Sequence, residues 1–157
     1  MSHTLLIFRH AKSGMDAPSD HERTLTKHGI QQAKFMGELL NEKDIHPDLV
    51  VCSSASRAVE TMNLAMMAGQ WECDSTVTDA LYNTTVNVLF ELFKHLSEND
   101  KVVMLVGHEP TWSELANSLT GETLTFNTAG LCCISFDIEQ WKDLKPGSGM
   151  LEWYESP

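Results

Sequence analysis

The sequence is poor in basic residues, with 11 lysines and arginines against 22 aspartates and glutamates in 157 residues. The formal net charge at neutral pH is therefore −11. A field of this sign repels nucleic-acid backbones and acidic lipid surfaces, so we expect no nucleic-acid partner and no membrane partner. An anionic ligand would instead require several of the few basic side chains at one place.

Cysteine-pair motifs and long apolar segments are also missing. None of the four cysteines, Cys52, Cys73, Cys132 and Cys133, belongs to a Cys-x-x-Cys motif or has zinc-ligand spacing. No apolar run is longer than five residues, and no basic segment precedes the short apolar run Leu5–Phe8. These absences argue against a metal site, a secretion signal and a transmembrane helix, and free thiols are typical of a cytoplasmic protein.

No internal repeat, low-complexity tract or linker interrupts the chain. Its composition, 42% hydrophobic and 21% charged, is that of a globular protein. A chain of this length buries about two-thirds of its surface on folding. We therefore expect a single domain over residues 1–157.

Strand-like and helix-like segments alternate along the chain, as judged from apolar runs and from apolar side chains at helical spacing. In chain order the predicted elements are a strand at Leu5–Phe8, a helix at about Thr26–Lys43, a strand at Leu49–Cys52, a helix after Ser53-Ser54, a weak strand at about Thr76–Asp79, a helix at Leu89–Leu96, a strand at Val102–Val106, a helix at Trp112–Leu119, and two strands at Ile134–Ile138 and Leu151–Trp153. Ser53-Ser54 should cap the second helix, and Pro110 should lie just inside the start of the fourth. This order predicts an α/β fold, a three-layer α/β/α sandwich around a mostly parallel sheet with an antiparallel edge.

Basic side chains follow three of the predicted strands. Arg9 and His10 end the first, Arg57 lies in the first turn of the helix after the second, and His108 follows the strand at 102–106. In such sheets ligands bind beyond the carboxyl ends of the strands, so we expect these side chains to share one crevice. Arginine matches phosphate oxygens, helix N-termini attract anions, and neutral imidazole is a nucleophile. The pattern predicts a phosphoryl-binding site.

The motifs around these residues resemble the histidine phosphatase (phosphoglycerate-mutase-like) superfamily. They are Arg9-His10-Ala11, Ser53-x-x-x-Arg57-Ala58-x-x-Thr61 and Gly107-His108-Glu109-Pro110, and the resemblance runs from about residue 5 to residue 136. The short chain and the segment Asp20-x-x-Arg23-x-Leu25 look most like the SixA-like phosphohistidine phosphatases. Any one motif is weakly specific, whereas their order and placement together are specific.

The resemblance implies a role for each of these residues. His10 would accept the phosphoryl group, Arg9 and Arg57 would bind it, and His108 would donate a hydrogen bond to it. Arg23 would be an additional arginine supplied by the first loop, although a salt bridge with a neighbouring carboxylate is an alternative. Ser13 is a further candidate for phosphate contact. The implied reaction needs no metal and no cofactor.

Larger members of the superfamily carry an acidic residue after the middle strand that protonates an alkoxide leaving group. The matching segment Asp79–Asn83 offers no obvious carboxylate beyond Asp79 itself. The general acid is therefore Glu109, Asp20 or absent. Because imidazole leaves without much acid assistance, the sequence favours phosphohistidine on a phosphorylated protein as substrate. The alternatives are a broad phosphomonoesterase acting on small phosphorylated substrates and a non-catalytic phosphohistidine-binding adaptor.

Overall fold

The computed structural model describes residues 3–157. In chain order its elements are β1 (His3–Arg9), α1 (Lys27–Glu42), β2 (Leu49–Ser53), α2 (Ser56–Gly69), β3 (Asp74–Thr78), α3 (Val86–Phe93), β4 (Val102–Gly107), α4 (Thr111–Thr120), β5 (Leu131–Phe136) and β6 (Gly149–Glu155), with short 3-10 turns at Asp79–Leu81 and Trp141–Asp143. None of the helices within residues 3–157 is long and apolar enough to cross a membrane.

All six strands form one sheet in the order β3-β2-β4-β1-β5-β6. The first four in that order pair parallel, because a helix connects each strand to the next along the chain. β5 pairs antiparallel with β1, and β6 pairs antiparallel with β5. The predicted α/β fold with a mostly parallel sheet and an antiparallel edge is therefore confirmed.

The sheet is covered on both faces. Leu5 and Ile7 of β1 pack against α3 and α4, where Trp112 is fully buried. Leu6 and Phe8 point to the other face and pack with Met36 of α1 and with residues of α2. Because both faces of β1 are buried, its sequence is a continuous apolar run, as expected for a central parallel strand.

Two predicted helix starts are wrong. The N-cap of α2 is Ala55, which has no side-chain oxygen, whereas the Ser53 hydroxyl bonds to His108 as well as accepting from the Ala55 amide. Pro110 is the N-cap of α4 and so lies one residue outside the helix. The Glu109 carboxylate accepts from the Ser113 amide and supplies the cap from further upstream.

Candidate active site

The carboxyl ends of β1, β4 and β2 lie side by side and bring the basic residues together. Arg9 is level with Gly107 in the register of β1 and β4, so His10 and His108 follow neighbouring strands. Their ring centroids are 5.3 Å apart. Arg57, buried in the first turn of α2, approaches both rings closely enough for its charge to lower their pKa values. The structure thus places Arg9, His10, Arg57 and His108 in one crevice.

The hydrogen bonding of His10 leaves its outer ring nitrogen available. His10 is 7% exposed, and its Nδ1–H donates to the carbonyl oxygen of Ala11 at 2.7 Å. Burial lowers the pKa of His10 from 6.5 to about 3; the bond to Ala11 opposes this shift, and the charges of His108, Arg57 and Arg9 add to it. His10 is therefore neutral at physiological pH, with its proton on Nδ1 and a lone pair on Nε2.

His108 is held through its other ring nitrogen, Nε2, whereas His10 is held through Nδ1. Its Nε2 lies 2.8 Å from Oγ of Ser53, and burial, followed by the charge of Arg57, lowers its pKa to about 4. Oγ of Ser53 accepts from the Ala55 amide, and we assign its hydroxyl hydrogen as the donor to Nε2 of His108. That donation assigns the single ring proton of neutral His108 to Nδ1.

Three buried nitrogen atoms of this site have no acceptor among residues 3–157: Nε of Arg9, Nε of Arg57 and Nδ1 of His108. The other two such atoms in the described chain belong to His3 and Trp71, away from the site. Buried donors normally have partners, so a cluster without them indicates a site for an acceptor-rich ligand. A tetrahedral oxyanion, which has acceptors only, fits this cluster.

Nη1 of Arg9 and both terminal nitrogens of Arg57 are fixed by the protein. Nη1 of Arg9 donates to the carbonyl oxygen of Phe126 at 2.9 Å. Nη1 of Arg57 donates to the carbonyl oxygen of Asp20 at 2.8 Å, and its Nη2 donates to Oδ2 of the same residue at 3.1 Å. Both guanidinium groups are thereby oriented before any ligand binds, which reduces the entropy cost of binding.

Arg23 and Ser13 contact each other within the first loop. Nη2 of Arg23 donates to Oγ of Ser13 at 2.7 Å, its Nε donates to the carbonyl oxygen of Gly14 at 2.8 Å, and its Nη1 pairs with Asp20 at 2.9 Å. The salt bridge that the sequence left open as an alternative is therefore formed. Direct contact of Arg23 or Ser13 with a phosphoryl group stays a prediction.

Both candidate carboxylates accept hydrogen bonds from the surrounding protein. Glu109 accepts hydrogen bonds from the amides of Ser113 and Phe126, so its carboxylate holds the start of α4. The hydroxyl of Tyr82, followed by the guanidinium groups of Arg23 and Arg57, holds the pKa of Asp20 well below its usual range. Asp20 is thus ionised at neutral pH and has no proton to donate.

Two supporting residues lie outside the predicted set of site residues. Oγ1 of Thr61 accepts from the Ala11 amide at 2.9 Å and donates to the Arg57 carbonyl at 2.7 Å, which fastens the end of β1 to α2. The position of Thr61 in the second sequence motif, four residues after Arg57, was the signal that could have indicated this role. Asp20 contacts Arg57, Arg23 and Tyr82 across the crevice. Its spacing from Arg23 indicated the salt bridge with that residue, whereas nothing in the sequence indicated its contacts with Arg57 and Tyr82.

An open cavity of about 320 Å³ adjoins His108. It is lined by Leu81, Asn83, Thr84, His108, Glu109, Pro110, Thr111 and Trp112. It leaves space beside His108 for a group larger than phosphate. Within residues 3–157, no three or more His, Cys, Asp or Glu side chains form a cluster that could hold a metal ion.

Known proteins share both the sequence pattern and the fold. The family model for the histidine phosphatase superfamily (branch 1) matches residues 5–82. An uncharacterized protein of Mycobacterium tuberculosis is 29% identical over 161 residues, covering 95% of this chain and 99% of that protein. SixA of Nakamurella multipartitia has a TM-score of 0.89 at 25% identity, covering 100% of this chain and 97% of its own. SixA of Agrobacterium tumefaciens has a TM-score of 0.85 at 26% identity, covering 100% and 99%. Both SixA proteins are described as candidate phosphohistidine phosphatases.

Proposed function

Because the chain is a SixA-like member of the histidine phosphatase superfamily, we propose that it hydrolyses phosphohistidine on a protein through a covalent phosphoryl intermediate on His10. The observation that carries the proposal is the state of His10, a neutral ring whose Nδ1 is occupied by Ala11 and whose Nε2 is free. This nucleophile lies beside three unpartnered N–H donors. An activated nucleophile next to oriented donors is the arrangement that covalent phosphoryl transfer requires.

The proposed reaction has two displacements at phosphorus. In the first, the lone pair on Nε2 of His10 attacks phosphorus while the N–P bond of the substrate breaks. The substrate ring carries a proton on its other nitrogen, so the electron pair of that bond leaves with a neutral imidazole. In the second, water attacks phosphorus, the bond to Nε2 breaks with its electron pair returning to His10, and the phosphate that is released carries both protons of the water as dihydrogen phosphate. Arg9, Arg57 and His108 donate to the equatorial oxygens, where charge is concentrated during each transfer.

The state of the carboxylates supports phosphohistidine over sugar phosphates. An alkoxide leaving group requires a proton from the enzyme, whereas imidazole departs with little assistance. Asp20 is ionised and Glu109 is engaged at the start of α4. After β3 the chain offers Tyr82, whose hydroxyl already donates to Asp20 at 2.6 Å, and Asn83, which has no acidic proton. The site is thus suited to a phosphoryl donor that leaves unaided.

The proposal includes a metal-independent reaction and a phosphorylated protein as partner, with a small phosphorylated molecule as the alternative substrate. The four cysteines are unpaired in the structure, which supports the cytoplasm as the compartment of this activity. The open cavity beside His108 supports a substrate that extends beyond its phosphoryl group.

A substrate panel tests the proposal. Wild type is given a phosphohistidine-containing protein, p-nitrophenyl phosphate and a sugar phosphate in turn, and phosphate release is measured under the same conditions for each substrate. We expect kcat/KM for phosphohistidine to exceed that for the sugar phosphate by about a hundredfold or more, the contribution a general acid makes to alkoxide departure. Equal rates on both would instead support a broad phosphomonoesterase. Tight binding of the phosphoprotein without turnover would support an adaptor.

Two histidine variants, one a test and the other its matched control, are measured with the same panel. His10→Asn removes the proposed nucleophile, whereas His95→Asn makes the same change at an exposed position. We expect no turnover in the first variant and wild-type turnover in the second. Turnover by His10→Asn would contradict the covalent route.

A further inference from the structure

Asp20 receives more hydrogen bonds than its exposure suggests. Its side chain is 53% exposed, yet its carboxylate accepts from Arg57, Arg23 and Tyr82, and its carbonyl oxygen accepts from Arg57 again. A single exposed salt bridge contributes little to stability, because holding two long side chains in one geometry costs entropy. Four hydrogen bonds from side-chain donors converge on this one loop residue, which indicates a specific role for Asp20 beside the phosphoryl site.

The contacts with Arg57 select which edge of its guanidinium remains free. Arginine can bind an oxyanion through its end, using Nη1 and Nη2, or through its side, using Nε and the second hydrogen of Nη2. Asp20 occupies the end, with its carbonyl oxygen on Nη1 and Oδ2 on Nη2. The side remains, and its Nε is buried without a partner. Arg57 is thus turned so that one bidentate edge is held and the other is open.

The same carboxylate arranges the rim of the site. Oδ1 accepts from Nη1 of Arg23, and Oδ2 accepts from the Tyr82 hydroxyl, whose ring centroid lies 5.8 Å from that of His108. Three side-chain donors converge on two carboxylate oxygens, which an aspartate can satisfy completely. An asparagine has one oxygen and one NH2 group, so at least one of the three donors would face another donor.

We propose that Asp20 is a positioning residue, which holds Arg57 by its end so that the Nε edge faces the phosphoryl group transferred to and from His10. The proposal rests on the proposed function for the identity of that group. A plain counter-charge is the competing explanation, and it predicts the opposite result. Removing a negative charge near an anion site strengthens anion binding, whereas removing the group that orients Arg57 weakens it.

The test measures the binding of tungstate, a tetrahedral dianion, by isothermal titration calorimetry at pH 7. We expect Asp20→Ala to weaken tungstate binding about tenfold, the loss of one charge-assisted hydrogen bond, and Asp20→Asn to weaken it less. The control is Asp16→Asn, which removes a charge from an exposed aspartate of the same loop. We expect wild-type affinity in this control. Tighter binding by Asp20→Ala, or unchanged binding, would overturn the proposal.

A second pair of variants separates orientation from general structural damage. Arg57→Lys keeps the positive charge but has no planar edge to orient, so Asp20→Ala should cause no further loss of tungstate affinity in that background. A similar loss in both backgrounds would show that Asp20 does not act through Arg57. Thermal unfolding of each variant checks that the site remains folded.

The binding readout keeps this proposal distinct from the proposed function. Tungstate affinity that depends on Asp20 through Arg57, in a wild type that releases no phosphate from any substrate, would support the positioning role and contradict the enzymatic one. Full turnover of phosphohistidine by a variant lacking Asp20, with tungstate affinity retained, would do the reverse. Absence of tungstate binding by wild type would contradict both.

Discussion

The low pKa of His10 makes a prediction about stability as well as about catalysis. Replacing His10 with Asn should raise the free energy of unfolding relative to wild type at acid pH, while the ionisation of His10 contributes no difference at pH 7. The Asn side chain has an NH2 group that can still donate to the Ala11 carbonyl, which His10 contacts through Nδ1 at 2.7 Å. The variant therefore keeps a donor near that carbonyl and loses the titrating group.

The magnitude follows from the difference between the folded and unfolded pKa values. Burial lowers the pKa of His10 from 6.5 to about 3 in the folded protein. Between these values the unfolded chain binds a proton that the folded ring does not, so the free energy of unfolding falls as pH falls below about 6.5 and is fully restored above it. The loss is about 1.4 kcal/mol per pH unit, which gives about 2 kcal/mol at pH 5.

Urea denaturation at pH 7, 6 and 5 measures this difference. We expect the variant to gain about 2 kcal/mol on wild type between pH 7 and pH 5, and the exposed control His95→Asn to follow the wild-type curve. Parallel curves for wild type and His10→Asn, or a variant that loses stability faster than wild type toward pH 5, would refute the neutral, desolvated His10 on which the mechanism depends.

Three further variants test how the surroundings of the site are built. Ser53→Ala leaves Nε2 of His108 without its partner at 2.8 Å, so the ring proton is no longer held on Nδ1. We expect steady-state kinetics on the phosphohistidine protein to show a kcat about tenfold lower, and an unchanged kcat would contradict the tautomer assignment. Glu109→Gln should weaken the cap at the start of α4 and lower the free energy of unfolding by about 1 kcal/mol, while turnover stays unchanged. Loss of turnover at wild-type stability would instead make Glu109 a general acid. Gly29→Ala places a Cβ 2.0 Å from the carbonyl oxygen of Lys12, so we expect urea denaturation to show a free energy of unfolding lower by about 1–3 kcal/mol. Wild-type stability would contradict that close approach.

The strand-end residues could be predicted from sequence because the rule that places them is simple. Arg9, His10 and His108 follow buried apolar runs directly, and parallel strands present their carboxyl ends at one edge of the sheet. Arg57 follows one short turn later, in a helix whose start the apolar pattern nearly fixes. These positions depend on local pattern and on sheet topology, both of which are visible in the chain.

The contacts that orient these residues could not be predicted in the same way. Ser53 looked like a helix cap, and its partner His108 is 55 residues away in sequence. Asp20 meets Tyr82 across 62 residues, from a loop with no periodic pattern. Loop conformations are decided by tertiary contacts, so sequence could name Asp20 and Arg23 as candidates but could not decide whether they bind ligand or each other.

The overall charge of −11 is compatible with an anion site because the cationic groups are concentrated. Arg9 and Arg57 are oriented by protein carbonyls within the crevice, while the acidic residues other than Asp20 and Glu109 are spread over the rest of the chain. Low local dielectric strengthens the field of these few charges at short range, whereas the surface charges are screened by salt. We expect partners to present the phosphoryl group on a surface less acidic than this one.

Phosphoryl transfer to Nε2 of His10 is tested most directly by trapping the intermediate. Wild type is mixed with a 32P-labelled phosphohistidine protein, quenched rapidly in alkali and digested, and the label is located by peptide mapping. We predict an alkali-stable, acid-labile label on His10 in wild type and none in His10→Asn. A label on another residue, or full turnover by His10→Asn, would contradict the mechanism.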